Sequence, residues 1–235
     1  MSTGRAKRVA IIQSSYIPWK GYLDIVASVD ELILFDDRQY TRRDWRNRNR
    51  IKTPRGIRWL TIPVEVKGRY HQRIDEVMVS DPGWAERHWS TLAQCYAEAE
   101  HFAEQRGRFE ELYRRASAER RLSAVNRLFL ETLLEILGIG ASLSWSSDYQ
   151  AEGDRSERLL ALCQAAGADQ YVSGPSARAY LDEELFNRAG LGVHWFDYSG
   201  YREYPQPHPP FAHEVSVVDL IFSTGDAARS FLHSP

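Results

Sequence analysis

Between Arg38 and Arg58 nine cations (Arg38, Arg42, Arg43, Arg46, Arg48, Arg50, Lys52, Arg55 and Arg58) stand against one anion, Asp44. The whole chain carries a formal net charge of only −2, so this excess is local and directed. Guanidinium forks match phosphate oxygens two at a time, and a desolvated arginine cluster without acidic partners is costly. The stretch reads as an anion site for a nucleotide, a sugar diphosphate or a nucleic-acid backbone. Asn47 and Asn49 place neutral donors among the charged ones. The plainer alternative is a solvated loop facing Glu98, Glu100, Glu104, Glu110 and Glu111.

Four other segments carry chemistry. Gln13-Ser14-Ser15-Tyr16-Ile17-Pro18-Trp19-Lys20-Gly21-Tyr22 packs polar and aromatic side chains into one loop, which is costly for a mere connector. Its layout resembles the first strand-to-helix loop of nucleotidylyltransferases, with Gly21-Tyr22 where those enzymes have Gly-His. A phenol offers a single O–H donor and stays neutral at pH 7, so the phosphate chemistry of that pair does not transfer. Asp36-Asp37 place two carboxylates past a β-rich run, where one could act as a general base toward an amine. Ser173-Gly174-Pro175-Ser176 precedes a helical pattern and offers an anion-friendly N-terminus, with Tyr180 and Asp182 close behind. Tyr201 to Phe211, with Tyr204 and Gln206, reads as a proline-stiffened aromatic flap. His71, His88, His194, His208 and His213 lack metal-ligand spacing and neither cysteine sits in a motif, so no metal is expected.

These residues need elements to position them. Val9–Ile12 and Glu31–Phe35 are short β-rich runs joined by an amphipathic stretch (Leu23, Ile25, Val26, Val29). That β-α-β unit brings the first loop and the Asp pair to one carboxyl edge of a parallel sheet. Ile57–Val64 alternates as a strand after a Pro54-Arg55-Gly56 turn, and Arg73–Val79 reads as another. Asp81-Pro82 opens a mostly helical block to Leu137. Then follow an extended piece at 142–146, a helix at 156–166, a strand at 170–174, a helix at 177–189, a strand at 193–198 and a short helix at 215–222. Alternation at both ends predicts an α/β fold: a mostly parallel, three-layer, Rossmann-like sheet with an inserted helical block at about 82–140, in a single domain over 1–235.

The 43% hydrophobic and 26% charged composition is that of an ordinary globular chain. Cys95 and Cys163, far apart, suit a reducing compartment rather than a disulfide framework. The basic N-terminus leads into only four apolar residues, too few for a signal peptide, and no run approaches a membrane span. A cytoplasmic protein without membrane partners is expected; composition is silent on oligomeric state.

A family resemblance joins these pieces. Gln13…Tyr16-Ile17-Pro18-Trp19-Lys20-Gly21-Tyr22, Phe35-Asp36-Asp37…Gln39-Tyr40 and Trp45…Asn47-Arg48-Asn49…Ile51-Lys52-Thr53 resemble the WbqC-like proteins of bacterial polysaccharide and natural-product gene neighbourhoods. Trp59-Leu60-Thr61-Ile62-Pro63-Val64, Ser173-Gly174-Pro175-Ser176, Tyr204-Pro205-Gln206 and Ser216…Asp219-Leu220-Ile221-Phe222 extend the likeness. Ile12 stands where a histidine is expected before the first loop. The resemblance implies an association with O-antigen and related biosynthesis, and attachment of an aminoacyl group such as glycyl to an amino sugar.

The expectation that follows is a transferase forming an amide on an amino-sugar nucleotide or comparable amine. Asp37 would act on the amine proton, with Gln13 and Tyr22 beside it. Arg43, Arg48 and Lys52 would hold phosphates, Asn47 the acyl group or sugar. Tyr16, Trp19, Asn49, Ser173, Ser176, Tyr180, Tyr204 and Gln206 would complete the pocket. ATP or aminoacyl-tRNA is the candidate acyl donor. The alternatives are an ATP-dependent ligase-type enzyme and a non-catalytic module binding nucleic acid or a phosphate ligand.

Overall fold

The structure is a computed structural model that describes residues 5–234. The chain begins β1 (Arg8–Ile12), α1 (Lys20–Ala27) and β2 (Glu31–Leu34), then forms a hairpin, β3 (Arg48–Thr53) and β4 (Gly56–Thr61). Three helices follow: α2 (Trp84–Cys95), α3 (Phe102–Ala116) and α4 (Leu122–Ile136). The chain then runs β5 (Ser142–Trp145), α5 (Arg155–Ala165), β6 (Gln170–Ser173), α6 (Glu183–Arg188), β7 (Gly192–Trp195) and α7 (Val217–Thr224).

Five strands form one parallel sheet in the order β5-β2-β1-β6-β7. Both faces are covered, which is why the strands read as continuous apolar runs. Ala10, Leu32, Leu34 and Val172 face the side holding α1, α4 and α7. Val9, Ile11, Ile33 and Tyr171 face α5 and α6. Growth of the sheet reverses between β1 and β6, and such a switch point opens a crevice at the carboxyl ends of the strands. Among the described residues no helix is long and apolar enough to cross a membrane.

Three local expectations change. Arg48–Thr53, read as part of a loop, is strand β3 paired antiparallel to β4. Arg73–Val79 is not a strand: Ile74–Glu76 makes a 3-10 turn, because the Glu76 carboxylate turns back to accept the Arg73 amide at 2.8 Å. The helix expected at 177–189 is split into a 3-10 turn, Pro175–Ala179, and α6. Asp182 starts α6 afresh by accepting the Leu185 amide at 3.1 Å. Ser173 therefore precedes a five-residue 3-10 turn and Ser176 lies within it, and neither has a long helix dipole behind it.

Candidate functional site

Ser14, just past β1, is the hub of the carboxyl edge. Its amide donates to Asp36 Oδ1 at 2.8 Å, and its hydroxyl accepts from Asn126 Nδ2 at 2.9 Å. Its carbonyl accepts from Arg46 Nη1 at 3.1 Å. Two residues on, the Tyr16 amide donates to the Trp45 carbonyl at 3.1 Å, and Asn49 Nδ2 donates to the Tyr16 carbonyl at 3.1 Å. The basic segment is thus laced along the Trp-Pro loop on the same side of the molecule. Ile17 holds a positive φ of 35°, a conformation a β-branched residue keeps only where its surroundings over-determine it.

Three hollows surround this hub. A crevice of about 640 Å³ lies at the switch point, lined by Gln13, Phe35, Arg38, Arg155, Ser176 and Tyr180 among others. A cup of about 560 Å³ lies under the hairpin, walled by Trp19, Tyr22, Trp45, Arg46, Asn49 and Arg50. A smaller cavity of about 310 Å³ lies past β2 and β5, lined by Asp36, Asp37, Asp75, Ser123 and Ser146 with Arg121 at its side.

The two adjacent aspartates have different fates, because successive residues leave a strand toward opposite faces. Asp37 follows Phe35 toward α5, where it pairs with Arg158 Nη2 and lies 3.9 Å from Arg38 Nε. Asp36 follows Leu34 toward α4. It is 1% exposed, and its second oxygen, Oδ2, is buried without a hydrogen-bond partner. Burial pushes its carboxyl up to about 6, against the opposing pull of the Ser14 amide and Arg46, with Asp75 adding to the rise. A carboxyl of that kind is poised to exchange a proton near neutrality. Asp37 Oδ2 is held in the Arg158 ion pair, while its Oδ1, like Asp36 Oδ2, is buried without a hydrogen-bond partner.

The crevice is electropositive. Arg38 and Arg158 share the single carboxylate of Asp37, and Arg38 stacks its guanidinium 4.3 Å from the Phe35 ring centroid. Burial and the neighbouring Arg158 charge lower the Arg38 pKa. Its Nε and Nη2 are buried without hydrogen-bond partners. Arg155 joins Arg38 as the second guanidinium in the wall.

The expected site residues sort by hollow. Gln13, Ser176 and Tyr180 meet in the crevice; Trp19, Tyr22 and Asn49 meet in the cup, where the Tyr22 hydroxyl donates to the Gln13 carbonyl at 3.2 Å. Burial raises the Tyr22 pKa far above the phenol value, so its hydroxyl stays protonated. Arg43 is exposed, and its carbonyl accepts from Arg48 Nη2 while the Arg48 guanidinium stacks 4.0 Å over Trp59. Six others lie in the interior or are tied into it. Tyr16 is fully buried, its hydroxyl 2.6 Å from that of Tyr113 and 2.9 Å from His88 Nδ1. Asn47 donates to the Ile62 carbonyl at 2.8 Å, and buried Lys52 donates to the Pro210 carbonyl. Tyr204 and Gln206 bind the carboxylate of Asp219, at 2.8 and 2.7 Å, so the expected flap is a segment tied into the core. Ser173 is buried at the end of β6. Among the described residues no group of three or more His, Cys, Asp or Glu side chains could hold a metal ion.

A family model described as the WbqC-like protein family matches residues 13–231, from the crevice loop to the end of the C-terminal helices. The chain belongs to the WbqC-like protein family. It is 49% identical over 226 residues to uncharacterized protein Rv1507c of Mycobacterium tuberculosis (strain ATCC 25618 / H37Rv), covering 96% of this chain and 97% of that protein. No solved structure matches.

In this WbqC-like chain Ile12, found where histidine was expected, lines the crevice with an apolar side chain. Spacing in the Trp19-Lys20-Gly21 run also has a steric reason. The Trp19 indole lies directly over Gly21, and a Cβ there would sit 2.3 Å from Trp19 Cζ2. Tyr198 and Tyr201 flank the indole at 5.4 and 6.0 Å, so it cannot move without cost. Gly21→Ala is expected to displace Trp19 and lower stability by about 1–3 kcal/mol. A change in near-ultraviolet circular dichroism with an earlier thermal transition would register this; an unaltered spectrum and transition would contradict it.

Proposed function

We propose that the protein is a small-molecule transferase that forms an amide, joining an aminoacyl group to the amino group of a phosphate-bearing acceptor such as an amino-sugar nucleotide. Arg38 and Arg155 hold the acceptor's phosphates in the crevice, beside Gln13 and Ser176, and Tyr180 covers the ring. The amino group reaches the Asp36 cavity. Its nitrogen attacks the acyl carbonyl, a C–N bond forms, the bond from the carbonyl to the donor's oxygen breaks, and Asp36 takes the ammonium proton. The oxygen leaving group departs with the electron pair of that bond.

The observation that carries this reading is the buried Oδ2 of Asp36, without a hydrogen-bond partner, at the same carboxyl edge of the sheet as a crevice where guanidinium groups outnumber carboxylates. Acyl activation by ATP and delivery from an aminoacylated RNA both suit it. Isothermal titration with nucleotide sugars and nucleotides tests the crevice. Arg38→Ala and Arg155→Ala should each weaken binding of the preferred phosphate-bearing ligand by about tenfold or more, the loss of a charge-assisted hydrogen bond. Unchanged affinities in both variants, or no amide product by mass spectrometry across acceptors and donors, would end the proposal.

A further inference from the structure

The hairpin carries a surface the crevice chemistry does not use. Trp45, Ile57 and Trp59 are 39%, 46% and 42% exposed, three of the five large hydrophobic side chains left exposed among the described residues. The indoles of Trp45 and Trp59 lie 5.2 Å apart at 41°. Arginines are interleaved with them: Arg48 over Trp59 at 4.0 Å, and Arg50 within 5.5 Å of Trp45 and 5.7 Å of Trp59. Arg42, Arg43 and Arg55 extend the positive surface, all exposed; Arg58, opposite Ile51, belongs to the other face of the hairpin. Its acidic neighbours are few. Asp44 lies 3.9 Å from Arg46, and Glu214 is 2.7 Å from Arg50.

A protein interface concentrates apolar side chains at its centre and depletes charge there. Here cations alternate with indole faces, the arrangement that tracks a phosphate backbone while stacking bases. Six residues per strand give a platform about 20 Å long, enough for a short single strand. Paired bases would leave the indoles no free face. Trp45 and Arg50 also wall the cup of about 560 Å³, so the platform runs into a hollow fit for a terminal nucleoside.

We infer that the outward face of the β3–β4 hairpin binds a single-stranded RNA end, bases on Trp45 and Trp59 and phosphates on Arg48 and Arg55. The choice of RNA over DNA rests on the amide-forming reading above, because the 2′-hydroxyl beside an acyl ester on the terminal 3′-hydroxyl, which DNA lacks, activates that ester toward an amine.

Fluorescence anisotropy with a labelled single-stranded RNA, the same sequence as DNA, and an RNA duplex tests this on the full chain. The single-stranded RNA should bind most tightly, and its affinity should fall with salt by about 0.7 in log–log slope per phosphate contact. Trp59→Ala should weaken binding by roughly tenfold or more, Trp59→Phe should retain most of it, and Arg48→Ala and Arg55→Ala should each flatten the slope by about 0.7. Thermal denaturation of each variant checks that the fold survives. No binding, equal binding of DNA or duplex, or an unaffected Trp59→Ala variant would overturn the inference. RNA binding that depends on Trp59, together with failed amide formation, would leave this surface standing and remove only the catalytic reading.

Discussion

Asp36→Asn should reduce amide formation by a factor of about 10²–10⁴, the usual contribution of a positioned proton acceptor, while the protein becomes more stable at neutral pH. The two halves have one cause. In the fold the carboxyl binds its proton up to about pH 6, above its ordinary value of 3.8. Between those limits the folded state holds more protons than the unfolded chain, so stability falls as pH rises through the window. At pH 7 the ionised carboxylate then costs the fold roughly 3 kcal/mol. Asparagine removes that cost and keeps an oxygen for the Ser14 amide. Its melting temperature should exceed the parent's by several degrees at pH 7 and converge with it near pH 4. Activity of the parent should rise with a midpoint near pH 6 as Asp36 gives up its proton. A residue with a purely structural role would lose stability on substitution. An asparagine variant both active and unchanged in melting temperature at pH 7 would remove Asp36 from the mechanism.

The difference between Asp36 and Asp37 shows what the chain makes legible and what it hides. Strands β1, β2, β6 and β7 are readable because buried parallel strands leave short apolar runs, and the carboxyl edge follows from the first β-α-β unit. The parity that separates the two aspartates was also present. Ile33 and Phe35 go one way, Leu34 the other, and Asp36 continues with Leu34. Strand β3 was hidden because its alternate positions are Arg48, Arg50 and Lys52, which read as a solvated loop until Ile51 and Asn49 are seen buried beneath them. Arg155 and Arg158 lie about a hundred residues beyond the basic segment, and only the sheet order brings their helix to the switch point. The buried roles of Tyr204, Gln206 and Lys52 depend on Asp219, whose place in α7 gives no local hint of a counter-charge.

That counter-charge is where the second large effect is expected. Asp219 is fully buried; Oδ1 accepts from the Tyr204 hydroxyl and Gln206 Nε2, and Oδ2 from the Tyr96 hydroxyl at 2.8 Å. Its charge opposes the burial that lowers the pKa of Lys52 and brings that of Lys20 down to about 8. Lys20 otherwise sits among rings, 4.9 Å from Tyr201 and 5.1 Å from Tyr204. Asp219→Ala would orphan the Tyr96 and Tyr204 hydroxyls and leave two buried ammonium groups without their shared anion, so a loss of about 3–5 kcal/mol is expected. In a chain of this length that lowers the melting temperature by roughly 10 °C. Adding Lys52→Met to Asp219→Ala should recover part of the loss, because a buried charge without a partner is removed with its counter-ion. The carboxylate also joins the hairpin, through Lys52, to α2, through Tyr96, whose hydroxyl accepts the Lys52 amide at 3.0 Å. Loosening that joint should free the β3–β4 hairpin from the sheet and raise amide exchange in β3 more than in β1. Equal protection in both strands, or a stability loss below about 1 kcal/mol, would mean the hairpin is held by its apolar underside alone.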